Sequence, residues 1–219
     1  MNQRAIVVFA VFAGCLLLQA CGGGSPGPQP VTVLRPHQEV GGDSLGTWAS
    51  RWWQWALAVS PERSPVRDKT GVDCHVGQSG PVWFLAGSYE TDPVVRSCAI
   101  PADKYVFFPL INSIDSAESA GAVCVELAAD VASQFDTVAG LYATIDGTPI
   151  PGPKAHRERS PSCFDPYKLV GGGYSGTYLS SADGFWIMLE PLPPGRHELA
   201  FGGSTDWLSQ DITYNLEVK

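Results

Sequence analysis

Apolar and polar residues change their period along the chain, and this change predicts a helix followed mostly by strands. At 100° per residue, the apolar side chains of residues 44–59 fall on one continuous arc and the polar side chains on the other. Asp43 or Ser44 is placed to cap this helix, and Pro61 to end it. The arc consists of Leu45, Trp48, Ala49, Trp52, Trp53, Trp55, Ala56 and Val59.

The four tryptophans of this predicted helix allow three interpretations: an interfacial membrane helix, an aromatic platform for sugars, or packing on the domain core. An interfacial helix usually carries several Lys or Arg residues on its polar face. Here the polar face has only Arg51. The pattern therefore favours core packing, with Trp53, at the edge of the arc, as the most exposed of the four indoles.

Beyond Pro61, dense apolar runs bounded by turn residues predict buried strands. The runs are 81–86, 105–111, 141–145, 185–189, 196–201 and 212–218, with a short strand at 168–170. Asp146-Gly147 follows one of these runs and predicts a type I′ hairpin. A second helix is expected at 123–138, where the apolar residues Leu127, Val131, Phe135 and Val138 share a face. Together these elements predict one mainly β domain over 41–219, an immunoglobulin-like β-sandwich with an N-terminal amphipathic helix and one inserted helix.

The N-terminus has the organisation of an export signal. Arg4 precedes an apolar run of about 14 residues, short of the ~20 that span a bilayer. The run ends in Leu18-Gln19-Ala20-Cys21, which resembles the lipobox of bacterial lipoproteins, although Gln19 leaves open an ordinary signal peptide cut elsewhere. We expect a signal peptide at 1–20, lipidation of Cys21 and a flexible tether at 21–40. By the same resemblance, Gly23 in place of Asp favours the outer membrane.

Composition and charge narrow the function classes. With 44% hydrophobic and only 16% charged residues, the chain is too apolar for disorder. Loss of residues 1–20 removes Arg4 and no acidic residue, so the formal charge changes from −8 to about −9. An acidic chain lacks the basic surface that binds phosphate backbones, which argues against a nucleic-acid partner.

Four cysteines remain once Cys15 and Cys21 are set aside. In an exported chain they predict two disulfides, for which three connectivities exist. Proximity along the chain favours Cys74–Cys98 and Cys124–Cys163. A zinc site is the rival interpretation, but no C-x-x-C or His-rich spacing supports it. A nucleophile made of Cys74 and His75 is disfavoured because sequence neighbours rarely orient thiol and imidazole productively.

No complete catalytic signature is found in the sequence. The stretches 77–81 and 173–177 approach G-x-S-x-G but lack its last glycine, and there is no S-x-x-K or H-E-x-x-H motif. The histidines are scattered: His156 is predicted on a surface loop, and His197 near a strand end as a hydrogen-bonded structural group. We therefore assign no catalytic residue, metal ligand or cofactor.

The densest polar grouping is the stretch 67–78 together with Arg96. A Cys74–Cys98 bridge would bring five polar side chains near Trp83, where they could bind a sugar or a carboxylate. The structural alternative is a salt bridge between Asp68 and Arg96, with Gln78 bonded to loop backbone. The candidate ligand-binding residues are Asp68, Asp73, His75, Gln78, Trp83 and Arg96.

Several short motifs follow one another in a recognisable order over residues 44–218. They are the Trp-rich helix, the GQ-x-G-x-VWFLAG stretch from Gly77, the R-x-C-x-IP stretch from Arg96, and DGFW with PPGRH near the C-terminus. This order resembles a group of uncharacterised bacterial exported lipoproteins. The resemblance supports the domain boundary and implies no activity.

These features favour a lipid-anchored envelope protein with a non-catalytic binding or structural role. Its expected contacts are the membrane, through lipid at Cys21, and a glycan or another envelope protein. The alternative is a small periplasmic or surface hydrolase that uses carboxylates near the Cys74–Cys98 loop.

Overall fold

The computed structural model describes residues 31–117, 123–170 and 179–219. The predicted signal peptide, the lipidation site Cys21 and tether residues 21–30 lie outside the described residues. In the described part of the chain, neither α-helix combines the length and apolarity needed to cross a membrane.

Strands and helices follow one another in a mainly β order. The strands are β1 (Glu39–Val40), β2 (Asp43–Ser44), β3 (Val82–Phe84), β4 (Val94–Ile100), β5 (Tyr105–Ser116), β6 (Ala139–Ile145), β7 (Thr148–Pro149), β8 (Arg157–Arg159), β9 (Ser180–Leu189), β10 (Gly195–Ser204) and β11 (Ser209–Val218). The α-helices are α1 (Leu45–Ala58) and α2 (Cys124–Ser133), with 3₁₀ turns at Pro61–Arg63 and Pro153–Ala155.

Two sheets pack face to face as a sandwich, which confirms the predicted fold class. One sheet has the order β4-β11-β10-β6-β7 and the other β3-β5-β9-β8, while β1 and β2 form a small separate hairpin. Most neighbours are antiparallel, but β4 runs parallel to β11 and β3 parallel to β5. The main core lies between the two sheets.

A second core lies between α1 and the outer face of the four-stranded sheet. Strand β9 is buried on both faces because Phe185 and Ile187 point into the sandwich, while Trp186 and Met188 point toward α1. This double burial explains why β9 reads as a continuous apolar run. Gly46 permits the close approach of α1, since a Cβ there would lie 2.1 Å from the carbonyl oxygen of Arg159.

Helix α1 agrees with its prediction. The Ser44 hydroxyl accepts a hydrogen bond from the Thr47 amide at 3.2 Å and caps the first turn. All four tryptophans are buried, so core packing is confirmed, and Trp53 is the most exposed of them at only 7%. The other three indole N–H groups donate to main-chain carbonyls: Trp48 to Val40, Trp52 to Leu85 and Trp55 to Val76.

Other local predictions had mixed outcomes. Asp146 and Gly147 have φ angles of 52° and 74°, as the predicted type I′ turn requires. The second helix ends at Ser133 rather than near 138, and consecutive turns carry Phe135 into the core. The predicted strand at 168–170 is wrong. Those residues belong to a turn closed by a hydrogen bond from the Val170 amide to the Tyr167 carbonyl.

Residues 31–40, which the sequence analysis assigns to the tether, pack against the folded domain. The Leu34 amide donates to the Met188 carbonyl at 2.8 Å, and the Glu190 amide donates to the Thr32 carbonyl at 3.0 Å. Leu34 is buried as well. The segment continues along the β9 edge that β8 only partly covers, so it adds strand pairing to the four-stranded sheet.

Both predicted disulfides are present in the structure. Cys74–Cys98 joins the loop after α1 to β4, with the two Cα atoms 6.0 Å apart. Cys124–Cys163 joins the first residue of α2 to the loop after β8, with a Cα separation of 5.7 Å. Both separations are ordinary for disulfides.

Candidate functional site

Arg96, the central candidate of the polar loop, is a buried structural residue. It points inward from β4 and is 1% exposed. Its Nε donates to the Asp68 carbonyl at 2.6 Å, and its Nη2 to the Val66 carbonyl at 3.3 Å. Its Nη1 donates to the carbonyls of Ala86 and Gly87 and to the Tyr214 hydroxyl at 2.8–3.0 Å.

These bonds make Arg96 a bridge between the main chains of two loops, residues 66–68 and 86–87. The predicted salt bridge between the Asp68 and Arg96 side chains is not what the structure contains, because Arg96 bonds the Asp68 main chain instead. Burial raises the pKa of the neighbouring Tyr214, against the opposing effect of the Arg96 charge. The Tyr214 hydroxyl is thus held neutral as part of the same bridge.

The Asp68 carboxylate closes a tight turn within the loop. It accepts hydrogen bonds from the amide and hydroxyl of Thr70 at 2.8 and 2.7 Å, and from the Asp73 amide at 2.9 Å. Partial burial pushes its pKa upward, but these hydrogen bonds outweigh burial and hold the pKa below its ordinary value. A carboxyl group with a lowered pKa is ionised at neutral pH and is unsuited to act as a general acid.

Gln78 covers the free edge of β3, as the structural alternative predicted. Its Nε2 donates to the carbonyls of Cys74 and Phe84 at 2.9 and 2.8 Å, and its Oε1 accepts from the Phe84 amide at 2.9 Å. The side-chain amide therefore pairs with β3 as the main chain of a neighbouring strand would. It also protects this edge from pairing with another chain.

The remaining candidates do not complete a pocket. Asp73 forms an ion pair with Arg63 at 3.2 Å, His75 is exposed, and Trp83 packs partly buried against the main core. In the described ranges, four of the six predicted ligand-binding residues are thus bonded to other protein groups. Their arrangement stabilises a disulfide-linked loop and brings no set of groups toward a common ligand.

A cleft beside α1 is the better candidate site, and we call it the α1 cleft. It has a volume of about 240 Å³ and lies between α1, residues 77–81 and the turn at Lys168 and Leu169. Trp48, Trp55 and Phe84 lie along its walls but are packed in the core, and each is only 2–6% exposed. Its volume is somewhat below the 300–1,000 Å³ typical of drug-sized ligands, so it suits a single ring.

Cationic and amide side chains give the α1 cleft a polar rim. The Arg51 guanidinium lies 4.5 Å from the centre of the Trp48 ring, and its Nη2 is 2.7 Å from Asp43 Oδ2. Because a guanidinium has five N–H donors, Arg51 can hold Asp43 and still donate to a ligand. Gln54 is tied to the Asp165 carbonyl at 2.9 Å, whereas Lys168 is exposed. A mainly apolar lining with two cations suits an anionic sugar.

The sequence pattern missed this cleft because its second wall comes from segments far from α1 in the chain. Trp48, Arg51 and Trp55 are spaced i, i+3 and i+7, which places them on one side of the helix. That spacing is the one local sign of the cleft in the sequence, because it places Arg51 at the border of the apolar arc of the helix.

The structure places one of two histidines where the sequence predicts it and the other elsewhere. His156 is buried, contrary to the predicted surface loop, and burial lowers its pKa. His197 is a hydrogen-bonded structural group, as predicted, with Nδ1 2.8 Å from Asp146 Oδ2 and Nε2 2.9 Å from the Pro193 carbonyl oxygen. Over the described ranges, no group of three or more His, Cys, Asp or Glu residues is arranged to hold a metal ion.

Comparison with known proteins does not assign a family. No protein-family model matches the chain, and no curated protein does. Among solved structures, a chain from "Structure of PbICP-C in complex with falcipain-2" aligns over 64% of this chain and 100% of its own length. The identity is 12% and the TM-score 0.26, a similarity too low to indicate a function.

Proposed function

We propose that the protein is a lipid-anchored bacterial envelope protein that binds an acidic saccharide in the α1 cleft without catalysing a reaction. The observation that carries this proposal is the pairing of a mainly apolar lining with two cations, Arg51 and Lys168, at one cleft. Guanidinium and ammonium groups bind carboxylates, and an apolar cleft lining can contact the apolar side of a sugar ring.

The proposed location follows from the sequence and from the disulfides. Disulfides persist in oxidising compartments such as the periplasm and the cell surface, and the described domain has two of them. An exported protein with lipid at Cys21 would be held near the cell-wall glycan. Peptidoglycan has free carboxylates on its stem peptides and on those N-acetylmuramic acid residues that lack a peptide, and therefore has the chemistry that the α1 cleft suits.

The hydrolase alternative has lost its best candidates. Its carboxylate Asp68 is committed to the loop main chain and has a lowered pKa, and its cation Arg96 is buried among carbonyls. We therefore retain the binding function alone.

Binding can be tested by co-sedimentation of the purified protein with insoluble peptidoglycan. We expect the wild type to sediment with peptidoglycan and Lys168→Ala to lose at least threefold in apparent affinity, because one of the two cations is removed. Lys154→Ala removes another exposed lysine that does not line the cleft, and it should bind as the wild type does. Equal binding by all three proteins, or binding by none, would refute the proposed site.

The anchor is tested separately by mass spectrometry of the intact protein from bacterial membranes. Cleavage before Cys21 with addition of diacylglycerol and an acyl chain is the expected result. An unmodified Cys21 would remove the lipid anchor from the proposal and leave the saccharide site to be judged by the sedimentation result.

A further inference from the structure

The N-terminal strap, which we define as residues 31–38, is held to the domain by few contacts. Leu34 is the one residue of the strap that is buried. Thr32 and Leu34 bond the end of β9 through main-chain groups, and the His37 amide donates to Glu158 Oε1 at 3.0 Å. Because little apolar surface is buried here, we expect the strap to open at a lower free energy than the core.

The β1–β2 hairpin that follows the strap is fixed more firmly. Val40 is buried, and its carbonyl accepts a hydrogen bond from the Trp48 indole of α1 at 3.1 Å. Ser44, at the end of the same hairpin, caps α1. Opening can therefore stop at residue 38 and leave the hairpin and α1 in place.

His156 is enclosed beside the strap, just before β8. It lines a cleft of about 190 Å³ with strap residues 33–36 and Ile150, and it is only 6% exposed. In the described part of the chain, its Nδ1 has no hydrogen-bond partner and almost no surface open to water. A protonated imidazole carries an N–H donor on each nitrogen, so protonation in the closed strap would leave a buried donor unbonded.

The neighbouring carboxylates are already bonded to other groups. Glu158, two residues along β8, accepts from the His37 amide, and its Oε2 lies 3.6 Å from His37 Nδ1. Asp183 of β9 is fully buried and paired with both arginines of β8. The other charged residues of the elements next to His156 are Arg35 of the strap, Lys154 of the 3₁₀ turn, Arg157 and Arg159 of β8, and the exposed Glu190 after β9.

The charge on this side of His156 therefore opposes a further proton. Arg35, which lines the same cleft, is a cation. Burial lowers the pKa of His156, in agreement with the enclosed geometry. The imidazole is neutral at pH 7, and the closed strap is compatible with the neutral form alone.

We propose that acid releases the N-terminal strap: protonation of His156 detaches residues 31–38, while the rest of the domain stays folded. Release brings the imidazole into water, which solvates both N–H groups. Closure of the strap is stable above the ordinary histidine pKa of about 6.5, and this stability is lost as the pH falls through the lower value of the folded state.

Release would also lengthen the chain between the proposed anchor at Cys21 and the domain. The eight residues of the strap add about 26–29 Å of fully extended chain. This lengthening rests on the proposed lipid anchor, whereas release of the strap does not. The two claims fail separately, because mass spectrometry of Cys21 tests the anchor and hydrogen exchange tests the strap.

Hydrogen exchange followed by mass spectrometry, on the full chain purified in detergent, measures release between pH 7.5 and pH 5.5. Ordinary carboxyl groups stay ionised over this range. Exchange rates are divided by the intrinsic rate at each pH. We expect protection of the strap amides to fall about threefold or more toward pH 5.5, because opening takes up one proton, and protection of α1 to stay unchanged.

Three histidine variants identify the group that responds. His156→Gln cannot take up a proton in this range, so its strap protection should not depend on pH. His75→Gln removes an exposed histidine outside the strap and should behave as the wild type does. His37→Asn removes a group whose protonation would strengthen the contact with Glu158, so its release should be larger. Asn tolerates the positive φ of 63° at this position.

Strap protection that does not change with pH in the wild type would overturn the proposal. Wild-type pH dependence in His156→Gln, or an equal loss of protection in the strap and in α1, would overturn it as well. If His156→Gln does not fold, an NMR titration of the His156 imidazole in the wild type decides the question. We expect a midpoint below the ordinary value of about 6.5, and a midpoint at or above that value would contradict release by His156.

Discussion

The polar loop around Arg96 and the α1 cleft use polar residues in opposite ways. In the loop, the Asp68, Gln78 and Arg96 side chains are bonded to main-chain groups of loops and of the free edge of β3. In the cleft, few polar residues are present, but Arg51 and Lys168 reach solvent beside a mainly apolar lining. In this protein, the segment with many polar residues is a loop that uses them for internal hydrogen bonds. The cleft that we propose as the binding surface has only a few polar residues.

Removal of Arg96 should have the largest effect on stability. Arg96→Ala deletes hydrogen bonds to four carbonyls and the Tyr214 hydroxyl, and it leaves these acceptors buried. We expect a loss of about 3–5 kcal/mol in the free energy of unfolding, measured by urea denaturation. A loss below about 1 kcal/mol would show that Arg96 is not the bridge that we describe.

The Cys74–Cys98 disulfide should come next. The bridge closes a loop with a sequence separation of 24, so a Cys74→Ala/Cys98→Ala protein should lose about 3 kcal/mol through the greater freedom of its unfolded chain. The separation of 39 for Cys124–Cys163 makes the corresponding double variant a matched comparison with a similar expected loss. Urea denaturation of both variants measures the effect, and an unchanged midpoint would contradict it.

Gln78 and Gln54 allow a comparison between the two regions with the same substitution. Gln78→Ala removes three hydrogen bonds at the β3 edge, and we expect it to cost about 2 kcal/mol. Gln54→Ala removes one bond, to the Asp165 carbonyl, and should cost about 1 kcal/mol. If urea denaturation shows the same loss of stability for both variants, the distinction between an internally bonded loop and an open cleft is contradicted.

The smallest effect concerns the pH dependence of Asp68. Its pKa is lowered in the folded state, so its contribution to stability is present above the ordinary value of 3.8 and is lost as the pH falls through the lower folded value. Wild type should therefore exceed Asp68→Asn in stability at pH 6, and the difference should shrink below pH 4. Urea midpoints across this range measure the difference, and a constant difference would contradict the hydrogen-bonded carboxylate.

Local patterns were sufficient for much of the fold. Helix α1 was predictable because its apolar arc and Ser44 cap are local. The type I′ turn was predictable because it requires positive φ at both central residues, which Asp146-Gly147 tolerates. Strand β4 was not predicted. Buried and exposed residues alternate along β4, and Arg96 occupies one of the buried positions. A charged residue there is favourable only because carbonyls of distant loops accept its hydrogen bonds, which the sequence does not reveal.

The short strand β8 was missed for a related reason. Its sequence, Arg-Glu-Arg, is typical of an exposed loop, but Glu158 is buried and accepts a hydrogen bond from the His37 amide at 3.0 Å. Arg157 and Arg159 both pair with the buried carboxylate of Asp183. The α1 cleft escaped prediction in the same way, because residues 77–81 and Lys168 approach α1 only in the folded chain.

One NMR titration tests the central claim most directly, because tryptophans report on both regions in one spectrum. A soluble peptidoglycan disaccharide, N-acetylglucosamine linked to N-acetylmuramic acid, is added to ¹⁵N-labelled protein, with the N-acetylglucosamine dimer as the ligand that lacks the carboxylate. We predict that the acidic disaccharide shifts the indole signals of Trp48 and Trp55, leaves Trp83 unchanged, and binds more tightly than the neutral dimer. Shifts at Trp83 without shifts at Trp48 and Trp55, or no shift at any indole, would contradict the assignment of saccharide binding to the α1 cleft.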